Sequence, residues 1–391
     1  MVRHLRWGGM FAAVALLLSF MLPAPALAWT VSFAAPQAYP VGGGPWGVAV
    51  GDFTGGGGLD LVVTNFLSNT ISVLPANGDG TFGSASTYAV NSAPFSVAVS
   101  DLNRDGRLDL VVANVGSNTV SVLLGNGDGT FQPARNFDAG PNPAFAAAGD
   151  FNGDGTPDLA VTNYSSHTIS VLLGNGDGTF RPAQSFEAGP NPQGMAVGDL
   201  NFDGALDLAV ATNAGSNAVS VLLGNGDGTF QAPLTFDVGE THPTYVAVGD
   251  FSGGGGLDLA VATYGCFGYT PCPAVSQTVS VLHANGDGTF NPPLMLDAGS
   301  GPNSVAVGDL NGDGTLDLAV ADFGPGTQRA TTVSVLLGVG DGTFEPAQQF
   351  DAGVSPAYVV VGDLNGDGRL DLVVTNFDGG TVSVLLNTTT P

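Results

Sequence analysis

An acidic motif of eleven residues recurs seven times and constrains the fold of this chain more than any other feature. The motif reads Gly-Asp-Leu-Asn-x-Asp-Gly-x-Leu-Asp-Leu with variations, and successive copies are separated by 49, 49, 49, 51, 59 and 54 residues. A period of this length indicates a repeat architecture in which each unit is one supersecondary structure. The first aspartates of the copies are Asp52, Asp101, Asp150, Asp199, Asp250, Asp309 and Asp363.

Each unit predicts four short strands. In the unit around Asp150 these strands are 145–149, 158–162, 168–173 and 180–186. Short apolar or β-branched runs bounded by Gly, Asn, Asp and Pro are strand and hairpin signals. With 60 Gly and 25 Pro in 391 residues the chain favours tight turns over helices. The pattern predicts an all-β, seven-bladed β-propeller of four-stranded antiparallel blades.

The two ends of the chain predict that the N-terminal strand closes the ring. The last unit stops after its third strand, and residues 33–39 resemble the fourth-strand segment 131–137. Phe33 precedes Asp52 by 19 residues, which is the spacing between Phe82 and Asp101. Closure of this kind removes exposed sheet edges. An open β-solenoid is the alternative, but it does not explain why the strand missing at one end is found at the other.

The first 28 residues predict a secretory signal peptide that is cleaved after Ala28. Two arginines give a positive start, residues 11–22 form an apolar run, and Ala-Leu-Ala is a cleavage signal. An uncleaved membrane anchor is the alternative. We therefore expect a secreted or cell-surface protein whose mature part, residues 29–391, is a single propeller. Cys266 and Cys272 form an even pair, and we expect a disulfide between them in an oxidising compartment.

Five of the seven acidic loops carry a full set of calcium-type ligands. They read Asp-x-Asn-x-Asp-Gly-x-x-Asp, with oxygens at positions 1, 3, 5 and 9. Calcium takes roughly six to eight oxygen ligands, and carboxylates packed this closely would repel one another without a cation. A metal-free Asx turn explains one aspartate but not three. The sequence predicts about five calcium sites with the ligands Asp101, Asn103, Asp105, Asp109, Asp150, Asn152, Asp154, Asp158, Asp199, Asn201, Asp203, Asp207, Asp309, Asn311, Asp313, Asp317, Asp363, Asn365, Asp367 and Asp371.

The first and fifth loops depart from this pattern. Their Asn and second Asp are replaced, so that each keeps two carboxylates: Asp52 and Asp60, and Asp250 and Asp258. These loops are predicted to be metal-free or to bind a cation weakly with the help of water. An EF-hand is excluded because it requires flanking helices and a Glu at its last position. The second recurring turn, Asn-Gly-Asp-Gly-Thr-Phe, is interpreted as a structural hairpin turn, with a second ion site as the alternative.

The repeat resembles the FG-GAP/VCBS repeat family. The acidic loops at 309–318 and 363–372 and the Leu-Leu-Gly-Asn-Gly-Asp-Gly-Thr-Phe segment at 172–180 carry the resemblance. It covers almost all of residues 33–391 and implies a propeller like that of integrin α-subunit heads, with calcium in hairpin loops. Family members act in adhesion, glycan binding and extracellular assembly, so the resemblance implies a class of roles rather than one ligand.

Departures from the repeat predict a ligand surface on the rim opposite the acidic loops. In a four-stranded meander the 1–2 and 3–4 connections share one rim, and the 2–3 and 4–1 connections share the other. The 2–3 loops of the fifth and sixth units are about nine and four residues longer than their counterparts. Irregular loops on a rigid scaffold often carry binding residues, although a tolerated insertion is the alternative. The candidate ligand-binding residues are Tyr264, Phe267, Tyr269, His242 and Arg329.

Charge and side-chain inventory exclude several functional classes. Because 34 acidic residues outnumber 8 basic ones, nucleic acid and anionic membrane surfaces would repel the chain. We expect no nucleic-acid partner and no membrane insertion. The sequence has no Lys and no nucleophile-elbow, zinc-protease or P-loop motif, so we expect no enzyme. A polysaccharide hydrolase or lyase is the residual alternative. The expected function is a calcium-stabilised adhesion or protein-interaction module, or alternatively a calcium-dependent lectin, with an extracellular protein or glycan as partner.

Overall fold

The computed structural model describes residues 30–213, 217–239, 242–264, 277–324 and 329–390. Within these ranges 28 strands form seven antiparallel sheets of four strands each. Each innermost strand contacts the innermost strands of two neighbouring sheets, and these contacts form a closed ring. This arrangement confirms the predicted seven-bladed β-propeller. None of the described residues belongs to a helix long and apolar enough to cross a membrane.

We number the blades 1 to 7 by their innermost strands. These strands all begin with a proline, which a sheet tolerates at the first position of a strand. They are β2 (Pro45–Gly51), β6 (Pro94–Ser100), β10 (Pro143–Gly149), β14 (Pro192–Gly198), β18 (Pro243–Gly249), β22 (Pro302–Gly308) and β26 (Pro356–Gly362). The second strands all begin with an aspartate. They are β3 (Asp60–Asn65), β7 (Asp109–Asn114), β11 (Asp158–Asn163), β15 (Asp207–Thr212), β19 (Asp258–Thr263), β23 (Asp317–Asp322) and β27 (Asp371–Asn376).

The third strands are largely buried and the fourth strands form the exposed outer edges of the blades. The third strands are β4 (Thr70–Leu74), β8 (Thr119–Leu123), β12 (Thr168–Leu172), β16 (Ala218–Leu222), β20 (Thr278–Leu282), β24 (Thr332–Leu336) and β28 (Thr381–Leu385). The fourth strands are β1 (Gln37–Pro40), β5 (Ser86–Ala89), β9 (Arg135–Asp138), β13 (Gln184–Glu187), β17 (Leu234–Asp237), β21 (Leu294–Asp297) and β25 (Gln348–Asp351).

The fourth strands are shorter than the sequence predicted. In blade 3 the predicted strand was 180–186, but β13 is Gln184–Glu187. Phe180 forms only an isolated bridge to Gly174. Pro182 follows two residues later, and a proline has no N–H group to donate to a neighbouring strand. The chain therefore leaves the sheet after Phe180 and rejoins it at Gln184.

Apolar side chains between neighbouring blades form the core. Among the residues that the structure describes, they make seven clusters. Between blades 2 and 3, for example, Val111 and Val122 pack with Leu159 and Val161. A fully buried Val or Leu side chain contributes about 1.5–3 kcal/mol. The contacts between blades, rather than one central core, therefore hold the ring together.

The N-terminal strand closes the ring as predicted. Strand β1 pairs with β28, so that Gln37 lies opposite Val384 and Pro40 lies opposite Thr381. The Thr375 hydroxyl of blade 7 also donates to the backbone carbonyl of Trp46 in blade 1 at 2.6 Å. The N-terminal strand thus completes the sheet of blade 7, and the second strand of blade 7 is hydrogen-bonded to the inner strand of blade 1.

Candidate functional site

The acidic loops and the Asn-Gly-Asp-Gly-Thr-Phe turns lie on the same rim, which we call the acidic rim. Each loop connects the first and second strands of a blade, and each turn connects the third and fourth strands. The turn of one blade contacts the loop of the preceding blade. The Gly129 N–H donates to the Phe53 carbonyl at 2.8 Å, and the Gly228 N–H donates to the Phe151 carbonyl at 2.9 Å. Neighbouring blades therefore brace one another at this rim.

The first three ligand positions of each full loop wrap around a short stretch of backbone. In the loop that begins at Asp150, the Asp150 carboxylate accepts from the N–H groups of Asp154 at 3.1 Å and Gly155 at 2.8 Å. The Asn152 Oδ1 accepts from the Asp154 N–H at 2.9 Å, and its Nδ2 donates to the Asp154 Oδ2 at 3.0 Å. The same bonds recur in the loops that begin at Asp101, Asp199, Asp309 and Asp363.

The aspartate at position 9 has a structural role that the sequence analysis missed. Asp158 is fully buried, and its carboxylate accepts from the Phe151 N–H at 3.1 Å and the Gly174 N–H at 2.7 Å. It therefore ties the acidic loop to the end of the third strand. All seven loops contain this pair of bonds. A signal for this role was present in the sequence, because the two loops that lost other acids keep Asp60 and Asp258.

Burial and nearby carboxylates raise the pKa of these position-9 groups. Burial raises the pKa of Asp158, and the charges of Asp154 and Asp150 raise it further, whereas the two backbone N–H bonds lower it. The same causes raise the pKa of Asp317 to about 6. The pKa is raised in the same way at Asp109, Asp207 and Asp371. A cation among these carboxylates would favour their charged forms.

The donor set of the five full loops fits a hard cation such as calcium. Each loop supplies three carboxylates and one amide oxygen, and these are the ligand types that calcium prefers. Within the described ranges, no three His, Cys, Asp or Glu side chains converge closely enough to form a finished metal cage. In the Asp150 loop the amide nitrogen of Asn152, rather than its oxygen, faces the Asp154 carboxylate, because the oxygen accepts from the Asp154 N–H. For the amide oxygen to bind calcium, the Asn152 side chain must therefore change its orientation.

The first and fifth loops keep part of this hydrogen bonding with fewer acids. The Thr54 N–H donates to the Asp60 Oδ2 at 2.9 Å, and the Ser252 N–H donates to the Asp258 Oδ2 at 3.1 Å. The position-9 carboxylate thus accepts an additional backbone bond where the position-5 carboxylate is missing. These backbone hydrogen bonds stabilise the two loops although the ligands at positions 3 and 5 are absent.

The aspartate of each Asn-Gly-Asp-Gly-Thr-Phe turn caps its own turn. The Asp177 Oδ1 accepts from the Thr179 N–H at 2.9 Å and from the Thr179 hydroxyl at 2.5 Å. The Asn175 Nδ2 donates to the Thr179 Oγ1 at 2.9 Å. The bond from the hydroxyl, followed by that from the N–H, lowers the pKa of Asp177. Because these bonds account for the Asn, Asp and Thr of the turn, they agree with the structural interpretation.

Five aromatic side chains close the axis of the propeller at the opposite rim. Trp46 and Phe95 lie near the start of their inner strands, and Phe66, Phe323 and Phe377 each follow a second strand. Trp46 stacks on Phe95 with ring centroids 4.6 Å apart. The centroids of Phe377, Phe323 and Phe66 lie 5.4, 5.6 and 6.4 Å from that of Trp46. We call these five residues the aromatic cap.

Beneath the aromatic cap, the axis narrows to a cavity of about 40 Å³. Its lining includes Phe145, Tyr245 and Tyr358 from three different blades. The Tyr358 hydroxyl donates to the Tyr245 hydroxyl at 2.7 Å. Burial raises the pKa of both phenols, most strongly that of Tyr358. Aromatic side chains therefore fill this end of the axis.

The repeat pattern agrees with a comparison to known protein families. The FG-GAP-like repeat matches residues 57–112, 101–161, 150–210, 199–261, 272–320 and 323–374. The chain belongs to the FG-GAP-like repeat family. These matches extend from the first to the last acidic loop of the FG-GAP propeller. No curated protein sequence matches the chain.

Several solved structures share the propeller fold at low sequence identity. A streptogramin B lyase has a TM-score of 0.61 and 16% identity, and the match covers 93% of this chain and 100% of that one. BBS1N in complex with ARL6DN has a TM-score of 0.61 and 14% identity, with 91% and 96% covered. A catalytically inactive virginiamycin B lyase from Staphylococcus aureus, with quinupristin, has a TM-score of 0.56 and 16% identity, with 90% and 99% covered. Identities this low show the fold alone.

The FG-GAP propeller places Tyr264 inside the protein, although the sequence analysis expected it to face a ligand. Its side chain is only 4% exposed, and its hydroxyl donates to the Gly324 carbonyl at 2.8 Å. The ring contacts Phe323, with centroids 5.8 Å apart. Tyr264 therefore supports the aromatic cap rather than a ligand. His242 is half-buried in the preceding 4–1 loop, where its carbonyl accepts from the Tyr264 N–H at 3.1 Å.

Of the other predicted ligand residues in the FG-GAP propeller, Arg329 is exposed. Its guanidinium lies 3.2 Å from the Asp378 carboxylate, which links the 2–3 loops of blades 6 and 7. An exposed ion pair of this kind contributes about 0–1 kcal/mol. The remaining predictions concern residues outside the described ranges: Phe267, Tyr269, the Cys266–Cys272 bridge and the signal peptide.

Proposed function

We propose that this FG-GAP propeller is a secreted, non-catalytic adhesion module that binds a protein partner through the aromatic cap and is stabilised by calcium at the acidic rim. The aromatic cap carries the proposal. Four of its five members are only half-buried, and they converge on the axis at the rim that also bears the two lengthened loops. Aromatic side chains are enriched among the residues that dominate protein–protein binding.

The surface next to the aromatic cap supports a protein partner. Leu67 directly follows Phe66 and is 65% exposed. A side chain at Gly44 would contact both Leu67 and Phe377, so an exposed aliphatic group lies beside the cap. Apolar surface of this kind is common at protein interfaces. The structurally similar BBS1N was solved in complex with ARL6DN, so a propeller of this shape is compatible with a protein partner.

The hydrogen bonding of the buried ionisable groups supports a non-catalytic role. The position-9 aspartates have both oxygens bonded to backbone N–H groups, and Tyr245 and Tyr358 bond to each other. Groups held in this way contribute to structure, whereas a catalytic acid or base must reach a substrate proton. The proposal therefore gives these ionisable groups, whose pKa values are raised, a structural role.

The Leu67→Arg variant is expected to lower binding to cells at least about tenfold, because a charge beside the aromatic cap would be buried unpaired in an apolar interface. Beads coated with the mature protein are incubated with the producing cells in millimolar calcium, and captured beads are counted. Phe202→Arg is the matched control, since Phe202 is 60% exposed but lies in an acidic loop on the other rim.

Equal losses in the two variants would contradict binding at the aromatic cap. Protease treatment of the cells should abolish capture if the partner is a protein. Capture that survives protease but is lost after periodate oxidation of surface sugars would contradict the protein partner.

Calcium removal is expected to lower the melting temperature. With a Kd of about 10⁻³ M, 10 mM calcium would stabilise the fold by about 1.4 kcal/mol at each occupied site. Calorimetric melting in 10 mM calcium and in EGTA measures the effect, and metal analysis after gel filtration measures the number of bound ions.

The Asp154→Asn variant should bind one ion fewer. Asp177→Asn, which alters only a turn cap, should bind as many ions as the wild type. A melting temperature that EGTA leaves unchanged after verified metal removal would contradict the calcium proposal.

A further inference from the structure

The sequence has eight asparagine–glycine pairs, and all of them lie on the acidic rim. In such a pair the glycine nitrogen can attack the side-chain amide carbon and close a five-membered imide ring, with loss of ammonia. Glycine favours this attack because it has no side chain to crowd the nitrogen. Three of the pairs stand at positions 3 and 4 of acidic loops: Asn152-Gly153, Asn311-Gly312 and Asn365-Gly366. The other five begin the second recurring turn, at Asn77, Asn126, Asn175, Asn225 and Asn285.

In the loops of blades 6 and 7 the attacking nitrogen lies next to a carboxylate. The Gly312 N–H donates to the Asp309 Oδ1 at 2.7 Å, and the Gly366 N–H donates to the Asp363 Oδ1 at 2.8 Å. A carboxylate at hydrogen-bond distance from the proton that must be removed is placed to act as a general base. Within the described ranges the Gly153 N–H of blade 3 makes no such bond, so that loop lacks the base.

The asparagine side chain is held beside this nitrogen by an Asx turn. The Asn365 Oδ1 accepts from the Asp367 N–H at 3.0 Å, and the Asn365 Nδ2 donates to the Asp367 Oδ2 at 3.0 Å. This turn folds the side-chain amide back over the Gly366 peptide. Negative charge develops on the Oδ1 when its carbon is attacked, and the Asp367 N–H is placed to stabilise it. Asn311 makes the same two bonds to Asp313, at 2.9 and 2.8 Å.

Both glycines have room for the imide ring. A Cβ atom added at Gly312 or at Gly366 would meet no other heavy atom within 4 Å, and both residues are exposed. Water can therefore reach the ring and open it. The equivalent residues of blades 2 and 4 are Arg104 and Phe202, whose side chains crowd the nitrogen. Those two loops are therefore not expected to react.

The five pairs in the turns lack both the base and the stabilising N–H group. In the turn at Asn175, the side-chain nitrogen donates to the Thr179 Oγ1 at 2.9 Å. Among the described residues, no hydrogen bond reaches the Asn175 Oδ1 or uses the Gly176 N–H. The nearby Asp177 carboxylate accepts from Thr179 instead. The turn pairs therefore provide an internal reference for an asparagine–glycine pair without assistance.

We propose that the loops of blades 6 and 7 deamidate themselves at Asn311 and Asn365. The Asp363 carboxylate removes the proton from the Gly366 nitrogen as this nitrogen attacks the Asn365 Cγ. The bond from Cγ to Nδ2 breaks, Nδ2 takes up the proton and leaves as ammonia, and a succinimide ring remains. Water then opens the ring to aspartate or isoaspartate, so that the loop exchanges its amide for a carboxylate. The reaction uses only groups of this chain and depends neither on the aromatic cap nor on calcium.

The test is the rate of deamidation at each asparagine in the folded mature protein. The protein is incubated at pH 8 in EGTA, which keeps the loop carboxylates free of metal. Peptide mapping by mass spectrometry measures the conversion at all eight pairs, and labelling by an isoaspartate methyltransferase detects isoaspartate. Asn311 and Asn365 are expected to react at least about tenfold faster than the five turn asparagines, because a general base typically contributes about 10²-fold or more.

The Asp363→Asn variant is expected to slow the reaction at Asn365 at least about tenfold, because an amide of the same shape replaces the base. The rate at Asn311 in the same molecule should not change, which also shows that the variant is folded, since all the pairs would react alike in an unfolded chain. The Asp309→Asn variant tests Asn311 in the same way. Asp177→Asn is the matched control, because Asp177 does not contact the glycine nitrogen of its pair. It should leave the rate at Asn175 unchanged.

Two results would overturn this inference. One is a folded wild type in which the loop and turn asparagines react at equal rates. The other is an unchanged rate at Asn365 in Asp363→Asn together with an unchanged rate at Asn311 in Asp309→Asn. Neither result bears on cell capture or on melting in calcium, so the proposed function is tested separately.

Discussion

Replacing Asp158 with Ala is expected to lower the free energy of unfolding by about 2–5 kcal/mol, even in the absence of calcium. The carboxylate is fully buried and is the acceptor for the Phe151 and Gly174 N–H groups. Each buried donor left without a partner costs about 1–3 kcal/mol. Removal of a buried charge offsets part of this loss, because burial already disfavours the ionised form of Asp158.

Urea unfolding in EGTA, followed by tryptophan fluorescence, measures this loss without a contribution from bound metal. The control is Asp154→Ala in the same loop, because Asp154 is exposed and its removal should cost less than about 1 kcal/mol in EGTA. In calcium, Asp154→Ala should also lose the stabilisation that its ion provides. Similar losses for the two variants in EGTA would show that position 9 has no special structural role.

The Asp322→Asn variant is expected to be more stable than the wild type by about 2–4 kcal/mol at pH 8. Asp322 is fully buried, and burial raises its pKa to about 7, although the Thr332 and Ser334 hydroxyls donate to its carboxylate at 2.8 and 2.9 Å. Four other blades have an asparagine here, whose amide nitrogen donates to the equivalent serine: Asn65, Asn114, Asn163 and Asn376. Asparagine thus fits the same site without charge.

Because the pKa of Asp322 is raised in the folded protein, its contribution to the free energy of unfolding depends on pH. Below about pH 4 the Asp322 carboxyl is protonated in both the folded and the unfolded chain, so its full contribution to stability is present. Between about pH 4 and 7 the folded state keeps a proton that the unfolded state has lost, and the free energy of unfolding falls as pH rises. Above about pH 7 the loss is complete. The difference between the variant and the wild type should therefore grow from near zero at pH 4 to its full value at pH 8.

Urea unfolding of both proteins at each pH, at constant calcium, measures this difference. The acidic loops titrate in the same way in both proteins, so their contribution to the free energy of unfolding cancels in the difference. The reverse substitution in blade 7, Asn376→Asp, is the matched control. It places a carboxyl in an equivalent buried site, so it should destabilise the chain at pH 8 and recover as pH falls. A difference between Asp322→Asn and the wild type that is the same at pH 4 and pH 8 would rule out ionisation of Asp322 as the cause.

Strand positions were predictable where neighbouring residues alone decide the conformation. The second strand of blade 3 was expected at 158–162 and is Asp158–Asn163, because an apolar run after a glycine-rich loop has few other conformations. The fourth strand was predicted too long at 180–186, because an apolar residue at each end of the segment concealed the break at Pro182. The missing fourth strand of blade 7 was found from the spacing of Phe33 and Asp52, since ring closure repeats the local geometry of every other blade.

The functional residues were harder to predict because their roles depend on contacts between blades. Tyr264 belonged to an aromatic segment that looked like a ligand surface, yet the blade 6 residues Phe323 and Gly324 bury it. The aromatic cap joins residues that are far apart in the chain, such as Trp46 and Phe377, so no local pattern marks it. The candidate calcium ligands, in contrast, were predicted from nine consecutive residues of each loop.

The sequence by itself determined the number of blades, the strand that closes the ring and the loops that could hold cations. These features depend on residues that are close together in the sequence. Turn residues and the alternation of apolar residues therefore specify them without contacts between blades. Only the tertiary structure decided which side chains are buried where blades meet. The convergence of aromatic rings on Trp46 arises from packing between strands distant along the chain, and the backbone bonds of Asp158 join the acidic loop to the end of the third strand of its blade. Burial and hydrogen-bond satisfaction at these places depend on neighbours that the local sequence does not contain.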